Sequence, residues 1–434
     1  MPHHRSFRTI GAAIALLALA GCPGCRVSTQ SEAETPSGAS GEPSAPGDIA
    51  QQREGSECIS NYDPSKDYFP NKITVTFAEG FSVTYHNHYK HVTVSQPWKD
   101  ADTAFEYLLV QCGAPVPEGF PAAQVISVPV DSVVALSTTH LPHLDLLGEV
   151  DRLKGVSNFD QVNTPSVRAK IDRGELQSFY SGSSLDLERL VLAQPDLITT
   201  YGTGDGDRDT HPRLIQAGLS VAINAEYVER SVLGRAEWLK FTALFLNQEA
   251  KAEAAFGQIS SQYQAMAALT QNLRDRPTVV TGFSHKGTWY MPGNDSYVAQ
   301  YLRDAGASYL WRDLPGPGSN PLDFEAVFER AVGAEFWLNV SQDWQTTGDA
   351  IAADPRYGNF AALAQGRVFS PNARLNETGG NDYWESGVVQ PHLVLADLIK
   401  IFHPDLLPDH GLVYYKPLPS ERPPDPSLGA SIGP

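Results

Sequence analysis

The sequence predicts an α/β protein with two similar lobes joined by one long α-helix, preceded by an extra antiparallel β extension. Three observations support this fold class. Short β-rich runs alternate with helical segments in both halves of the chain, as in parallel α/β layers. A proline-free helical segment separates these halves. A stretch of alternating apolar and polar residues precedes the first half, which is typical of antiparallel strands.

The first 21 residues have the form of an export signal. Arg5 and Arg8 precede an apolar run over residues 10–20, which is too short for a stable membrane span. The run ends in Leu-Ala-Gly-Cys at residues 19–22, similar to the bacterial lipobox. That resemblance implies cleavage before Cys22 and acylation of Cys22, which would anchor the protein in a membrane. An ordinary secretory signal is the alternative, and either signal predicts an exported body.

Residues 22–67 are predicted to form a flexible tether. They are rich in Ser, Pro, Gly, Glu and Ala, and they cannot bury enough apolar surface to fold. Cys58 lies near the end of this segment and could pair with Cys112 in an oxidising compartment. Two cysteines alone leave that pairing open, and Cys25 has no evident role.

Residues 68–126 are predicted to form the β extension. The runs 73–77 and 81–85 alternate with a period of two, and Glu79-Gly80 between them indicates a hairpin. His86, His88 and His91 stand close together here, and His86 and His88 would share one strand face, as the members of a metal-binding pair do. A solvated strand and turn is the commoner explanation, so we predict no metal site.

Residues 127–228 and 275–403 are each predicted to form a Rossmann-like α/β lobe. In the first lobe, Asp186 precedes a helix that starts with Leu187-Glu188 and leads into a buried strand. In the second lobe, a helix that starts with Phe324-Glu325 has the same form and leads into the apolar run 335–340. This repetition favours two similar lobes over a single domain.

Residues 229–274 are predicted to form the connecting helix. If unbroken over 231–273, it would be about 60 Å long at about 1.5 Å per residue. The apolar stripe is interrupted at Leu246-Asn247-Gln248, where a kink is expected. One long surface helix is the alternative that periodicity leaves open. The stripe consists of Phe241, Phe245, Ala252, Phe256, Ile259, Tyr263, Met266 and Leu273.

Residues 404–434 form a Pro-rich tail, which is expected to lie along the surface together with Tyr414 and Tyr415.

The charge and the missing motifs exclude several functions. The formal net charge is −18, and removal of the signal would take away two arginines and no acids. Nucleic acid is therefore not an expected partner, because phosphate binding needs a basic surface. The glycine-rich run 202–206 lacks the Lys-Ser/Thr of a phosphate loop and is expected to let a loop bend near a cleft. We find no nucleophile elbow, zinc-protease helix or Cys-x-x-Cys metal knot, and we predict no catalytic residues, no cofactor and no resident metal.

The ordered set of motifs resembles the substrate-binding proteins of ABC importers in the iron-siderophore and cobalamin group. The resemblance covers roughly residues 125–403, and the extension falls before this core, so its role stays open. It implies two lobes joined by one long helix, a ligand held in the cleft between them, and little hinge motion. It also implies that Glu188 and Glu325 dock on arginines of the membrane permease, whereas without the family pattern each would be an ordinary exposed acid. The matching stretches, apart from the connecting helix, are STTHLPHLDLLGEVDRLKGVSNFD, SSLDLERLVLAQPDLITTYG, PLDFEAVFERAVGAEFWLNV and VVQPHLVLADLIKIFHP.

Loops at the carboxyl ends of the lobe strands are expected to hold the ligand. Aromatic side chains there would stack on a large planar or apolar ligand, and arginine would offset an anionic chelate. Each aromatic or arginine residue taken alone is better explained by packing, and His140 and its neighbour His143 are better explained by a local hydrogen bond. The prediction is therefore that several members of the set contact the ligand. The predicted ligand contacts are Tyr180, Tyr201, Trp289, Tyr290, Arg374, Trp384 and His140.

The sequence therefore predicts a lipid-anchored binding protein, not an enzyme, on the extracytoplasmic side of a membrane. It would capture a ferric siderophore and deliver it to an ABC transporter permease. Cobalamin and haem are alternative ligands, since an aromatic cleft suits them as well. An exported chelatase-like enzyme and a surface lipoprotein with a protein partner are the alternatives from other classes. Which membrane carries the lipid, and whether a side chain ligates iron directly, are left open.

Overall fold

The computed structural model describes residues 58–182 and 184–420, which belong to one compact unit of the chain. The predicted export signal, Cys22, most of the tether and the end of the Pro-rich tail lie outside the described residues. Within the described ranges, no helix combines the length and the apolarity needed to cross a bilayer.

The extension forms a four-stranded sheet. Its strands are β1 (Phe81–Tyr85), β2 (Tyr89–Val94), β3 (Phe105–Gln111) and β4 (Gln124–Val128). The first three pair antiparallel, as predicted, and β4 runs parallel to β3. A disulfide joins Cys58 to Cys112 just after β3, which settles the pairing that the sequence left open.

The first lobe is a five-stranded parallel sheet in the order β11-β10-β5-β6-β7. A small antiparallel pair, β8 and β9, lies outside this sheet. The strands are β5 (Val133–Ala135), β6 (Leu153–Val156), β7 (Gln177–Ser178), β8 (Tyr180–Ser181), β9 (Ser184–Leu185), β10 (Leu197–Thr200) and β11 (Val221–Ile223). The helices are α1 (Leu141–Leu147), α2 (Pro165–Asp172), α3 (Leu187–Ala193) and α4 (His211–Gln216).

The connection between the lobes is two helices, α5 (Val232–Leu246) and α6 (Glu249–Ala268), rather than the single long helix predicted. The break falls where the apolar stripe is interrupted. Asn247 ends α5 with a φ of 54°, a left-handed conformation that asparagine tolerates better than most residues. Its side chain accepts a hydrogen bond from Lys90 Nζ (2.8 Å) and donates one to Gln111 Oε1 (2.9 Å). The extension therefore fixes the point at which the linker turns.

The second lobe contains a sheet in the order β15-β12-β17-β18-β19, in which only β19 is antiparallel to its neighbour. A separate antiparallel sheet has the order β13-β14-β16. The strands are β12 (Thr278–Thr281), β13 (Ser284–His285), β14 (Thr288–Pro292), β15 (Ser308–Tyr309), β16 (Ser319–Asp323), β17 (Phe336–Leu338), β18 (Val368–Ser370) and β19 (Lys416–Pro417). The helices are α7 (Tyr297–Asp304), α8 (Phe324–Ala331), α9 (Thr347–Ala353), α10 (Ala361–Ala364), α11 (Ser386–Val389) and α12 (Pro391–Phe402).

The two lobes repeat one topology, as the sequence predicted. The order β6-β5-β10-β11 in the first lobe corresponds to β15-β12-β17-β18 in the second. Of these four strands, the first in the chain (β5 or β12) lies between the second (β6 or β15) and the third (β10 or β17). The fourth (β11 or β18) lies on the other side of the third. The helices α3 and α8 directly precede the equivalent strands β10 and β17.

Residues 73–77 are not a strand, so the predicted hairpin at Glu79-Gly80 is wrong. Their backbone N–H groups bond to side chains, chiefly of α5 and α6, instead of to the backbone of a neighbouring strand. The buried carboxylate of Glu237 accepts hydrogen bonds from the backbone N–H groups of Thr76 (3.0 Å), Phe77 (2.6 Å) and Ala78 (2.8 Å). The extension is thereby fixed to the helix between the lobes.

The end of the described chain also differs from expectation, because Tyr414 and Tyr415 are buried rather than spread on the surface. The buried carboxylate of Asp397 accepts hydrogen bonds from the backbone N–H groups of Val413, Tyr414 and Tyr415. This anchor on α12 brings β19 to the edge of the second lobe's sheet.

Candidate ligand-binding site

The carboxyl ends of β5 and β10 lie side by side in the first lobe, where successive connections leave the sheet in opposite directions. Such a position is where open α/β sheets bind ligands. His140 follows β5, and its Nδ1 shares a hydrogen bond with Thr199 Oγ1 on β10 (3.0 Å). Because burial lowers the pKa of His140 to about 3, this side chain is neutral. It is only 3% exposed and joins the two strands beneath the surface, so the structure does not present it to a ligand.

Two tyrosines form an exposed aromatic group at this edge of the first lobe. Tyr201 directly follows β10 and is 47% exposed, and its ring centroid lies 6.4 Å from that of Tyr227. The Tyr227 hydroxyl donates to the carbonyl of Gly202 (2.6 Å), which holds the ring in place. Tyr180 is half-buried nearby, and burial raises its pKa. Sequence reasoning missed Tyr227, although its position just after β11 was the same signal that identified Tyr201.

The second lobe places two further predicted residues at its surface. Tyr290 on β14 is 56% exposed, and Trp384 is 46% exposed with its ring against Tyr383 (4.8 Å between centroids). Arg374 is half-exposed and pairs with Asp382 (3.0 Å). These two residues line a cavity of about 250 Å³ together with Leu375 and with Asn163 of the first lobe.

Trp289 is a core residue rather than a surface contact, which corrects its predicted role. It is fully buried, stacks on Trp337 and Phe360, and donates through Nε1 to the carbonyl of Thr281 (2.9 Å). Successive side chains of a strand point to opposite faces, so Trp289 and Tyr290 lie on opposite faces of β14.

A buried carboxylate ties the second lobe to the first. Glu385 is fully buried, and it accepts hydrogen bonds from the backbone N–H groups of Asn163 (2.8 Å) and Thr164 (2.7 Å) just before α2. Burial raises the pKa of Glu385, while the bonds from Thr164 and Asn163 act in the opposite direction. The Thr378 hydroxyl adds a bond to the carbonyl of Asp160 (2.6 Å). No local pattern signals this contact, because its partners are more than 200 positions apart.

A larger cavity of about 500 Å³ lies where the extension meets both lobes. The extension contributes residues 96 and 98–101, and the first lobe and the start of the linker contribute Tyr227, Val228 and Arg230. The second lobe completes the wall with Pro292, Ser296, Tyr297, Val298, Pro317, Gly318 and Ser319.

Glu188 and Glu325 occupy equivalent positions in the two lobes. Each is exposed in the first turn of its helix, α3 or α8, and each follows an aspartate that caps the helix. Asp186 accepts from the N–H of Arg189 (3.0 Å), and Asp323 accepts from that of Ala326 (2.7 Å). These caps fix the orientation of both first turns.

The histidines of the extension do not converge on one point. His88 Nδ1 lies 3.1 Å from the Tyr62 hydroxyl, His86 stacks on Tyr89, and His91 lies beside Glu106. Over residues 58–182 and 184–420, no group of three or more His, Cys, Asp or Glu side chains is placed to hold a metal ion.

Residues 133–375, more than half of the chain, match the family described as periplasmic binding protein. The chain belongs to this family, and it is a solute-binding protein of the ABC transporter type. The match contains both lobes' first strands and the whole linker, and it begins after the extension.

Two proteins of Methanocaldococcus jannaschii, both described as uncharacterized lipoproteins, are similar to this chain. One is 28% identical over 65% of this chain and 67% of its own length. The other is 26% identical over 71% of this chain and 79% of its own length. A periplasmic binding protein from Veillonella parvula has the same fold, with a TM-score of 0.52 and 16% identity over 72% of this chain and 98% of that protein.

Proposed function

We propose that this protein is a lipid-anchored solute-binding protein that captures a ferric siderophore between its lobes and passes it to an ABC permease. The observation that carries the proposal is the position of the exposed aromatic rings. In the described part of the chain, the large aromatic side chains that are exposed are Tyr201, Tyr227, Tyr290 and Trp384. Tyr201, Tyr227 and Trp384 lie in the segments that follow β10, β11 and β18, and Tyr290 lies on β14, which comes after β12 in the chain.

Exposed aromatic rings at these positions suit a large ligand with planar or apolar arms. Aromatic rings bury a large area and stack with defined geometry, and they bind such surfaces without a dedicated hydrogen bond for each atom. Arg374 adds a cation, although Asp382 already pairs with it. A ferric siderophore combines a bulky chelate with polar groups at its surface, so it matches this mixture better than a small metabolite does.

The contact between the lobes supports capture without a large closing motion. Glu385 and Thr378 bind backbone groups of the first lobe, so opening would leave a buried carboxylate and several N–H groups without partners. A site with little hinge motion binds by shape and surface chemistry. Reversible capture of this kind involves no bond-making or bond-breaking step.

Delivery is proposed to depend on Glu188 and Glu325. Two equivalent carboxylates, one on each lobe, would fix the orientation of the protein on a basic permease surface. Alanine at both positions should abolish uptake while leaving ligand affinity unchanged. Glu329→Ala, an exposed acid on the same helix as Glu325, is the matched control and should transport normally. Normal uptake by the double variant would contradict the docking role.

The lipid anchor is proposed from the lipobox at residues 19–22, and both described relatives are named lipoproteins. Cys22→Ser should release the protein from the membrane fraction. Retention of this variant in the membrane would refute acylation at Cys22.

The ligand is identified by titration of the purified protein, with tryptophan fluorescence as the readout. Of the tryptophans, Trp98 and Trp384 are the two that are not buried in the described chain, so quenching would come mainly from these rings. The panel contains ferric tris-catecholate and ferric tris-hydroxamate complexes, cobalamin and haem. Saturable quenching by a ferric siderophore alone supports the proposal. A response to cobalamin or haem alone, or to no compound, overturns the siderophore assignment.

A further inference from the structure

The loop over residues 96–101, which we name the strap, joins β2 to β3 of the extension and contacts both lobes. On the first lobe, the Trp98 ring lies so close to Gly202 and Gly204 that a Cβ at either glycine would be 2.7 Å from it. On the second lobe, the Lys99 side chain lies beside Gly318, where a Cβ would be 3.2 Å from Lys99 Cδ. The strap therefore reaches across from one lobe to the other.

The strap explains two of the glycines in the run 202–206, Gly202 and Gly204. A side chain at Gly202 or Gly204 would collide with the Trp98 ring, and Gly204 also has a φ of +77°, a conformation that favours glycine. Trp98 packs further against His211 and Phe105, with ring centroids 5.6 Å and 6.0 Å away. Gly202 and Gly204, which follow β10, thus leave room for a tryptophan from the extension.

The strap also encloses the cavity of about 500 Å³ described above. This volume is in the range of about 300–1,000 Å³ that is usual for ligand pockets. Trp98, Tyr227 and Tyr297 give its wall three aromatic rings, one from the extension, one from the first lobe and one from the second. A planar ligand group entering here would meet rings from all three parts of the protein.

The charged side chains of this wall are two cations and one carboxylate, Lys99, Arg230 and Asp100. Arg230 also lies 3.6 Å from Glu79, which is not part of the wall. Lys99 has no ion pair among the described residues, so its ammonium group is available to a ligand. Glu79 offsets the charge of Arg230, so the cation that this wall offers to an anionic group of a ligand is the unpaired ammonium of Lys99.

We propose that the strap is the third wall of the ligand site, and that Trp98 and Lys99 select an anionic ferric chelate with aromatic arms. This inference rests on the proposed function and specifies its ligand as the tris-catecholate class. Ferric tris-catecholates carry a net negative charge and aromatic rings, whereas ferric tris-hydroxamates are neutral. The ring of Trp98 would stack on a catechol, and the Lys99 ammonium would lie near the chelate's negative charge.

The test compares Lys99→Glu with Lys154→Glu, which makes the same change of charge at an exposed site on β6 away from the cavity. Affinity for a ferric tris-catecholate and for a ferric tris-hydroxamate is measured by equilibrium dialysis, with circular dichroism as the check on folding. We expect Lys99→Glu to weaken catecholate binding by about tenfold or more, with no effect of Lys154→Glu. Trp98→Ala, if folded, should weaken binding of the same ligand.

The outcomes separate the two proposals. Tight catecholate binding that neither strap variant weakens would overturn the role of the strap while leaving siderophore capture in place. Preference for the neutral hydroxamate, unaffected by Lys99→Glu, would also overturn it. Failure of the wild-type protein to bind either iron complex would overturn the proposed function and the strap's role together.

Discussion

Glu325 and Arg356 form an ion pair, with 2.7 Å between Glu325 Oε1 and Arg356 Nη1, at the surface that we propose meets the permease. The guanidinium of Arg356 also lies over the ring of Phe324 (3.7 Å to the centroid) and pairs with Asp354 (2.6 Å). Glu188, the equivalent residue of the first lobe, has no ion pair in the described chain. The two proposed docking carboxylates are therefore equivalent in position but differ in their partners.

Replacing Arg356 by alanine should tighten docking on the permease. Glu325 would no longer have to break its ion pair with Arg356 before it pairs with an arginine of the permease. We expect a gain of up to about fivefold in affinity for permease vesicles, measured by co-sedimentation. The control is Arg330→Ala, on the same helix as Glu325, which breaks an exposed ion pair with Asp313. Weaker docking by Arg356→Ala would show instead that the arginine holds Glu325 in the docking orientation.

The two buried histidines at the start of α1, His140 just before the helix and His143 within it, should make the protein sensitive to acid. Burial lowers the pKa of both His140 and His143 to about 3 from an ordinary value of 6.5. Since the unfolded chain takes up protons first, the stability they provide is complete above pH 6.5 and is lost as the pH falls from 6.5 toward 3. The slope should approach about 1.4 kcal/mol per pH unit for each histidine.

The measurement for this effect is the free energy of unfolding between pH 7 and pH 4. His143→Leu should reduce the slope relative to wild type, whereas His285→Gln, at an exposed site, should leave it unchanged. Equal slopes for wild type and His143→Leu would contradict a neutral buried His143.

Glu237 should be essential for attachment of the extension. Glu237→Ala leaves three backbone N–H groups and the buried ammonium of Lys240, 3.0 Å from the carboxylate, without this partner. Loss of one member of a buried ion pair costs about 3–5 kcal/mol. The decrease should appear in denaturant unfolding, together with faster proteolysis of residues 58–80.

The control for Glu237 is Glu253, the other acid beside Lys240, which is partly exposed. Its alanine variant should lose about 1 kcal/mol or less. Similar losses for the two variants would argue against a special role of the buried carboxylate.

The Cys58–Cys112 disulfide should contribute to stability as well. It closes a loop across 54 positions, and replacement of both cysteines by serine should cost about 3–4 kcal/mol through the greater freedom of the unfolded chain. A reducing agent should lower the Tm of the wild type and not that of the double-serine variant. An unchanged wild-type Tm on reduction would disprove this contribution.

Local pattern predicted the exposure of some residues of the proposed ligand site and not of others. Tyr201 and Tyr290 were found from strand ends and are exposed, but Trp289 beside Tyr290 is in the core. The strap was missed, because its contacts with Gly202 and Gly318 join segments more than 100 positions apart. Glu385 was missed for the same reason.

The sequence by itself determined the two repeated lobes, the helical region between them and the break at Asn247. These features depend on periodicity and on residue-specific backbone preferences, which act over a few neighbouring positions. Only the tertiary structure decided that residues 73–77 bind Glu237 instead of pairing as a strand, and that Trp98 crosses onto the first lobe. A buried carboxylate can satisfy backbone N–H groups as well as a strand can, and which partner is used depends on what folding brings within hydrogen-bond distance.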